Sequence, residues 1–176
     1  DADLIIAADG GGSATRAEMS DRFRPNITTG KGLYLWCGTD FALPSAIFTP
    51  VTTEHGTFVA HAYPYASDRS TFLIETDETT SRNAGFDVTT ENTGPADSDT
   101  QSLKYLQDAF VATLGDHALI GNRTRWLRFR TVTCERWHAG NVVLLGDAAH
   151  TAHYSIGSGT KLAMEDAIAL NHSVRE

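Results

Sequence analysis

The sequence has little cysteine and no long hydrophobic run. Its two cysteines, Cys37 and Cys134, are far apart in the 176-residue chain and form no metal-type spacing, which predicts a reducing compartment such as the cytoplasm. The apolar runs are only a few residues long, well below the roughly 20 residues that span a bilayer. No secretory signal pattern opens the chain. These features predict a cytoplasmic protein with no membrane partner.

Basic residues are also scarce. The chain has 14 lysines and arginines against 22 acidic residues, a net charge of −8. A protein of this charge is a poor general binder of nucleic acid, so no nucleic-acid partner is expected. The composition, with 41% hydrophobic and 20% charged residues, is typical of a globular protein. The oligomeric state is left open by these features.

Hydrophobic patterning divides the chain into two kinds of segment. Residues 3–8 and 141–145 are short apolar runs that end in Asp-Gly or Gly-Asp, as buried parallel strands do. Residues 31–75 instead contain short aromatic and β-branched runs separated by turns, which indicates an antiparallel meander. We therefore expect an α/β domain formed by residues 1–20 and 137–176, interrupted by a mostly antiparallel β-sheet domain at residues 21–136.

Two motifs follow the apolar strands at the ends of the chain. The first is Asp9-Gly10-x-x-Ser13-x-x-Arg16, and the second is Gly146-Asp147-Ala148-Ala149-His150. Ligands of open α/β sheets bind outside the carboxyl ends of strands, where a carboxylate can accept hydrogen bonds from ribose or ribityl hydroxyls. Each aspartate could alone be a cap for the next helix or turn. Two such motifs in one short chain favour a ligand site.

A glycine-rich segment precedes the last predicted helix. It reads Gly157-Ser158-Gly159-Thr160. The free N–H groups of a helix N-terminus attract partial negative charge, such as that at the pyrimidine edge of an isoalloxazine ring. A glycine-rich turn without a ligand is the alternative.

These motifs together resemble a known family. The sequences GDAAHTAHYSIGSGTKLAMEDAIAL and DLIIAADGGGSATR are similar to the second flavin motif and the DG motif of the group A FAD-dependent aromatic monooxygenases, the p-hydroxybenzoate hydroxylase type. Within that family the nearest branch is that of salicylyl-CoA 5-hydroxylase and anthraniloyl-CoA monooxygenase. Ser155 and Lys161 replace the family's usual proline and asparagine, as in the CoA-ester branch. The resemblance is strong over residues 1–20 and 130–175 and weaker between them.

The resemblance implies a cofactor, a reaction and a role for each motif. Asp147 would hold the FAD ribityl chain, Gly157 to Thr160 would lie against the flavin pyrimidine edge, and Asp9 and Arg16 would serve the flavin–NADPH side. In this family NAD(P)H reduces FAD, O2 adds to the flavin C4a, and the hydroperoxide hydroxylates an aromatic ring. The implied fold is part of a Rossmann-like FAD-binding domain with an inserted substrate domain. The implied substrate is a small aromatic compound, and the branch points to a CoA thioester.

Further residues are candidates for substrate contact. His153 and Tyr154 adjoin the flavin motif, and His61 alternates with Tyr63 and Tyr65 on a predicted strand. Packing in the core or on the surface is an equal alternative for His61, while Trp36 and Cys37 are expected in the core. No metal site is expected, because the pair His150-x-x-His153 has no evident third ligand. No acid–base catalyst is assigned, since the cofactor carries the chemistry.

The densest basic cluster is a set of arginines near the second domain boundary. They suit the phosphates of CoA or NADPH, or else form a solvated strand face. The cluster consists of Arg123, Arg125, Arg128, Arg130 and Arg136.

Two other functions remain open at this point. The chain could be a cofactor-free fragment or binding module of such an enzyme, or a related flavoprotein such as a reductase. The first alternative has a specific basis, because the GxGxxG loop that holds the FAD pyrophosphate in the family occurs nowhere in this sequence. The chain is therefore expected to be a portion of a monooxygenase.

We predict that the 176-residue chain by itself binds FAD weakly or not at all, because the adenosine half of the cofactor then lacks its site. The measurement is the flavin absorbance of the purified chain after desalting. Retention of stoichiometric FAD would contradict the prediction.

Overall fold

The computed structural model describes residues 2–175, which form two compact units. Unit 1 contains the residues up to Gly30 and those from Phe129 onward, and unit 2 is Lys31–Arg128. The chain passes between them inside two strands, β2 (Pro25–Thr39) and β7 (Leu127–Cys134). The sequence pattern predicted the boundaries outside these strands, near residues 20 and 137. No helix within residues 2–175 has the length and apolar character needed to cross a membrane.

Unit 1 has the α/β character expected from the sequence. Its three strands are β1 (Ile5–Ala7), β8 (His138–Ala139) and β9 (Val142–Leu144). The sheet has the order β1-β9-β8, with β1 parallel and β8 antiparallel to β9. Ala7, Phe23, Leu144 and Ala148 are part of its core. The remaining elements of unit 1 are α1 (Ala14–Glu18), α2 (Ser20–Phe23), α7 (Gly159–Arg175) and 3-10 turns at Gly146–Ala148 and Tyr154–Ile156.

Two packing expectations for unit 1 are wrong. In β1, Ile5 and Ile6 are 44% and 50% exposed and only Ala7 is buried. The spacing over residues 161–174 predicts a helix that packs through Leu162, Ala163, Ile168 and Leu170. None of the α7 residues is buried, however, and Ile168 is 58% exposed. The reason for β1 is its position: within residues 2–175 it pairs with β9 on one side only.

Unit 2 is built on an antiparallel sheet. Strands β3 (Ile47–Thr53), β4 (Gly56–Ala66) and β5 (Arg69–Thr76) form the expected meander. The sheet order is β3-β4-β5-β2-β6, with β7 beside β2, so β2 pairs with β5 and not with β3. The short strand β6 is Leu119–Ile120.

Four helices accompany this sheet, and their apolar residues complete the core of unit 2. Leu103, Leu106 and Phe110 belong to the same buried cluster as Phe58 and Phe72. The apolar spacing over residues 102–114 predicts this stripe together with Val111 and Leu114; Leu114 is buried, whereas Val111 is 57% exposed. The helices are α3 (Glu78–Asn83), α4 (Phe86–Asn92), α5 (Thr100–Ala109) and α6 (Val111–Leu114).

Polar caps fix the starts of several helices. Ser13 Oγ accepts a hydrogen bond from Arg16 N at 2.9 Å, and Asp77 accepts from Thr79 N and Thr80 N, as the sequence predicts for both. The sequence pattern predicts connections over residues 22–30 and 90–100, but part of each is regular instead. Residues 25–30 belong to β2, and α4 extends to Asn92. The buried ring of Phe86 anchors α4, a tertiary contact that overrides its polar composition.

Arg16 joins the two strand-end loops of unit 1. Its side chain is buried, with 3% of the residue exposed. One guanidinium nitrogen, Nη1, donates to Ala148 O at 2.8 Å, and Nη2 donates to Gly11 O at 2.5 Å. A buried cation that satisfies backbone carbonyls from two loops fixes their spacing. Arg16 is therefore a positioning residue for both motifs.

We expect Arg16→Ala to lower the free energy of unfolding by about 3 kcal/mol, since it leaves buried carbonyl oxygens without donors. Urea denaturation measures the change. Arg22→Ala is the matched control, because Arg22 is an exposed arginine on α2 of the same unit. Equal stability of the two variants would show that the buried bonds of Arg16 contribute nothing.

Candidate functional site

Parallel pairing of β1 with β9 brings the two strand-end motifs together. Ile5 aligns with Val142 and Ala7 with Leu144. The contact continues past the strands, where Leu145 N donates to Ala7 O at 3.0 Å. Because parallel strands share their carboxyl edge, the loops carrying Asp9 and Asp147 start from adjacent points.

Asp9 is engaged within its own loop. Its Oδ2 lies 3.1 Å from both the backbone N and the Oγ1 of Thr15, which donate to it. Burial acts to raise the pKa of Asp9, but hydrogen bonds from Ser13 and Thr15 outweigh it and hold the pKa below its ordinary value. The carboxylate therefore stays ionised and orders the start of α1, which is the capping role that the sequence left open.

Asp147 is placed differently. It is exposed, in the middle of the 3-10 turn that follows β9. Within residues 2–175 its carboxylate takes part in no ion pair or hydrogen bond, whereas its backbone O lies 3.4 Å from Arg16 Nη1. The carboxylate is thus free to accept hydrogen bonds from a ligand.

The turn that carries Asp147 is held against α7. Gly146 has φ +57, and a Cβ there would lie 3.1 Å from Ala163 Cβ, so glycine serves both the left-handed backbone and the close approach of the helix. Asp166 Oδ2 accepts from Gly146 N at 3.1 Å and lies 2.8 Å from His150 Nε2. The pattern over residues 161–174 predicts that Asp166 faces a polar partner. It does not identify Gly146 or His150 as that partner, because the turn and the helix are separated along the chain.

The glycine-rich segment leads directly into the N-terminus of α7. Gly157 is left-handed at φ +66. Apart from the chain neighbours and the backbone of the helix itself, no atom of residues 2–175 lies within 4 Å of the positions that a Cβ would take at Gly157 or Gly159, so a planar group can approach this backbone closely. The first N–H groups of a helix have no partner inside it, and α7 has 17 residues. The segment therefore fits an electron-rich ligand edge.

His153 and Tyr154 precede this segment in the chain, and their rings form an aromatic group with Phe129. The His153 ring is 4.8 Å from that of Phe129 and 4.2 Å from that of Tyr154. His153 Nδ1 is 2.8 Å from Ser155 Oγ, whereas His150 contacts Asp166. The two histidines thus have separate partners, and the described residues contain no group of three metal-ligating side chains.

His61 lies on the face of the unit 2 sheet opposite the buried core. By register it aligns with Phe48 on one side and Leu73 on the other, and Leu73 aligns with Trp36. The rings of His61 and Phe48 stack at 4.2 Å. Phe48 is 66% and Trp36 47% exposed. The expectation that Trp36 is in the core is wrong, because alternate residues of a strand face opposite sides.

Cys37 is the neighbour of Trp36 that does lie in the core. It is 5% exposed, and its thiol donates to Phe72 O at 3.0 Å. Burial raises the pKa of this thiol to about 12. Cys37 is therefore a packing residue and not a nucleophile.

The arginines of the predicted cluster have different surroundings. Arg128 donates to Lys31 O at 2.7 Å and pairs with Glu78 at 3.4 Å, so its charge is partly used within unit 2. Arg130 and Arg136 belong to unit 1. Within unit 2, Arg123 and Arg125 line a cavity together with Arg69, which no local pattern singles out because it is distant from them along the chain.

Comparisons with known proteins place this chain among flavoproteins. A family model described as FAD binding domain matches residues 1–174. Salicyloyl-CoA 5-hydroxylase of a Streptomyces species is 42% identical over 176 residues, which are 100% of this chain and 34% of that protein. The 3-hydroxy-4-methyl-anthranilyl-(aryl-carrier protein) 5-monooxygenase of Streptosporangium sibiricum is 45% identical over 170 residues, 97% of this chain and 42% of that protein.

A solved structure supports the fold. The tetrameric form of 2-methyl-3-hydroxypyridine-5-carboxylic acid oxygenase aligns with a TM-score of 0.68 and 19% identity, covering 100% of this chain and 46% of that one. The chain thus spans less than half the length of each protein compared here. Since the family model covers nearly every residue, the chain belongs to the FAD binding domain family.

Proposed function

We propose that the chain supplies the flavin-facing loops and the substrate sheet of an FAD-dependent monooxygenase that hydroxylates an aromatic substrate. The observation that carries the proposal is the unpartnered Asp147 carboxylate at the end of β9, held by the turn against α7. A ribityl chain offers the hydroxyl donors that such a carboxylate accepts. Family membership supports the same cofactor.

The residues around Asp147 suit the rest of the flavin. Gly157, Ser158, Gly159 and Thr160 offer open backbone at the N-terminus of a 17-residue helix, where partial positive charge stabilises electron density on a ring edge. Asp9 and Gly10 form the loop after β1, and Arg16 fixes its distance from Gly146 and Asp147. In the proposed complex these groups bind and orient the cofactor.

FAD, when bound, supplies the redox chemistry by accepting reducing equivalents from NAD(P)H and using O2 to place one oxygen atom on the aromatic ring. The protein positions the ring and excludes water. Within unit 1, His153 and Tyr154 with Phe129 form an aromatic surface suited to this task. Within unit 2, the exposed rings of Phe48 and Trp36 and the half-buried ring of His61 lie on one face of the sheet and offer a second such surface.

We further propose that the aromatic substrate is a CoA thioester. One relative's name specifies salicyloyl-CoA, and the other specifies an anthranilyl group on an aryl-carrier protein. Both names describe an aromatic acyl group attached to a carrier. Their identities of 42% and 45% over nearly the whole chain support a substrate of the same class.

We expect Asp147→Ala in the whole protein to weaken FAD binding by about 1–3 kcal/mol, roughly 5- to 150-fold in Kd, because one charge-assisted acceptor is lost. Equilibrium titration of the apoprotein with FAD, followed by flavin fluorescence, measures the change. The melting temperature of the apoprotein should stay constant, since the carboxylate has no hydrogen bond or ion pair within residues 2–175.

Asp3→Ala is the matched control, since Asp3 is an exposed aspartate of the same unit that precedes β1. It should leave FAD affinity unchanged. An Asp147→Ala protein that binds FAD as tightly as the control would refute the assignment of this carboxylate.

A further inference from the structure

Unit 2 contains a cavity that the flavin-binding assignment does not use. It has a volume of about 540 Å³ and lies beside the ends of β2, β5 and β7. Arg69, Arg123, Arg125, Trp36 and Tyr65 are among its lining residues. We propose that this cavity binds the phosphate-bearing CoA moiety of the thioester substrate, an inference that rests on the proposed function.

The charge of the cavity is the first argument. Every charged side chain that lines it is an arginine, although acidic residues outnumber basic ones in unit 2. Arg69 is partly neutralised by Asp68 at 2.8 Å. Within residues 2–175, neither Arg123 nor Arg125 has a guanidinium hydrogen bond or ion pair. Two unpaired guanidinium groups in one cavity supply the forked donors that phosphate oxygens accept.

The loop that carries these arginines is held in a fixed conformation. Thr124 is buried, its Oγ1 donates to Trp36 O at 2.8 Å, and its N–H donates to Ser98 Oγ at 3.1 Å. Asp99 N donates to Thr124 O at 2.7 Å. Arg123 has φ +54, a left-handed conformation that non-glycine residues seldom adopt. These bonds hold the two arginines at the cavity before any ligand binds, which lowers the entropic cost of binding.

The surroundings of the cavity suit the rest of a thioester. Trp36 lines the cavity and lies on the same face of the sheet as His61 and Phe48, with the buried Leu73 between Trp36 and His61 in the register. One ligand can therefore place an aromatic ring on that face and its phosphates at Arg123 and Arg125. The volume lies in the range of about 300–1,000 Å³ typical of small-molecule sites. The rings of Trp36 and Tyr65 offer flat surfaces to an adenine base.

The test measures binding of free CoA to the whole, FAD-replete protein by titration calorimetry. We expect the Arg123→Ala/Arg125→Ala variant to bind CoA about 10- to 100-fold more weakly than the unsubstituted protein, because two charged hydrogen-bond donors are removed. The KM of the CoA thioester should rise in parallel, and the KM of NAD(P)H should not change. Arg82→Ala is the control, because Arg82 is an exposed arginine of unit 2 that pairs with Glu78 away from the cavity, and it should match the unsubstituted protein.

Flavin content, measured on the same samples, separates this proposal from the proposed function. An FAD-replete protein that hydroxylates an aromatic compound but does not bind CoA overturns the cavity assignment and the CoA-thioester substrate, and leaves the proposed FAD-dependent hydroxylation standing. If the Arg123→Ala/Arg125→Ala variant has a raised KM for NAD(P)H and unchanged CoA affinity, the arginines bind the nicotinamide nucleotide. That result also overturns the cavity assignment. Equal affinity of the unsubstituted protein for 4′-phosphopantetheine and CoA would overturn the cavity assignment too, because the nucleotide part of CoA would then make no contact with the cavity.

Discussion

The parallel pairing of β1 with β9 is the constraint on which the candidate flavin site depends. These strands are separated by more than a hundred residues, yet their aligned ends start the loops of Asp9 and Asp147 from neighbouring points. Arg16 then ties the two loops through backbone carbonyls of Gly11 and Ala148. A buried guanidinium is suited to this because it supplies several donors in one rigid plane. Strand pairing and the hydrogen bonds of Arg16 thus set the spacing of the two loops.

The two strand-end aspartates have different roles although their sequence settings are alike. Asp9 is bound by Thr15, and its hydrogen bonds keep it ionised within its own loop. Asp147 is left without such partners and is open to a ligand. The difference arises from the next element of the chain: α1 begins soon after Asp9, whereas the turn at Asp147 is held through Gly146 N by Asp166. A carboxylate that has no hydrogen-bond partner among residues 2–175 is the better candidate for binding a ligand.

Unit 2 separates packing and binding on the two faces of one sheet. Leu35, Cys37, Phe58 and Phe72 are buried in the core cluster shared with the helices, while Trp36, Phe48 and His61 alternate to the other side. An exposed group of aromatic rings costs solvation free energy unless a ligand or partner covers it. The position of Trp36 at both this face and the arginine cavity connects the two surfaces. A substrate with an aromatic end and an anionic end is the ligand that we propose for this arrangement.

Local patterns in the sequence determined the strand-end motifs, the caps at Ser13 and Asp77, the β-meander and the family resemblance, because each depends on residues close together along the chain. Only the tertiary structure decided which face of a strand is covered. It therefore exposed Ile5 and Trp36, which the sequence pattern predicted to be buried. It also paired Arg128 with Glu78 and brought Arg69 to the cavity of Arg123 and Arg125. Such outcomes depend on contacts between residues far apart in sequence, which short-range hydrophobic periodicity does not specify.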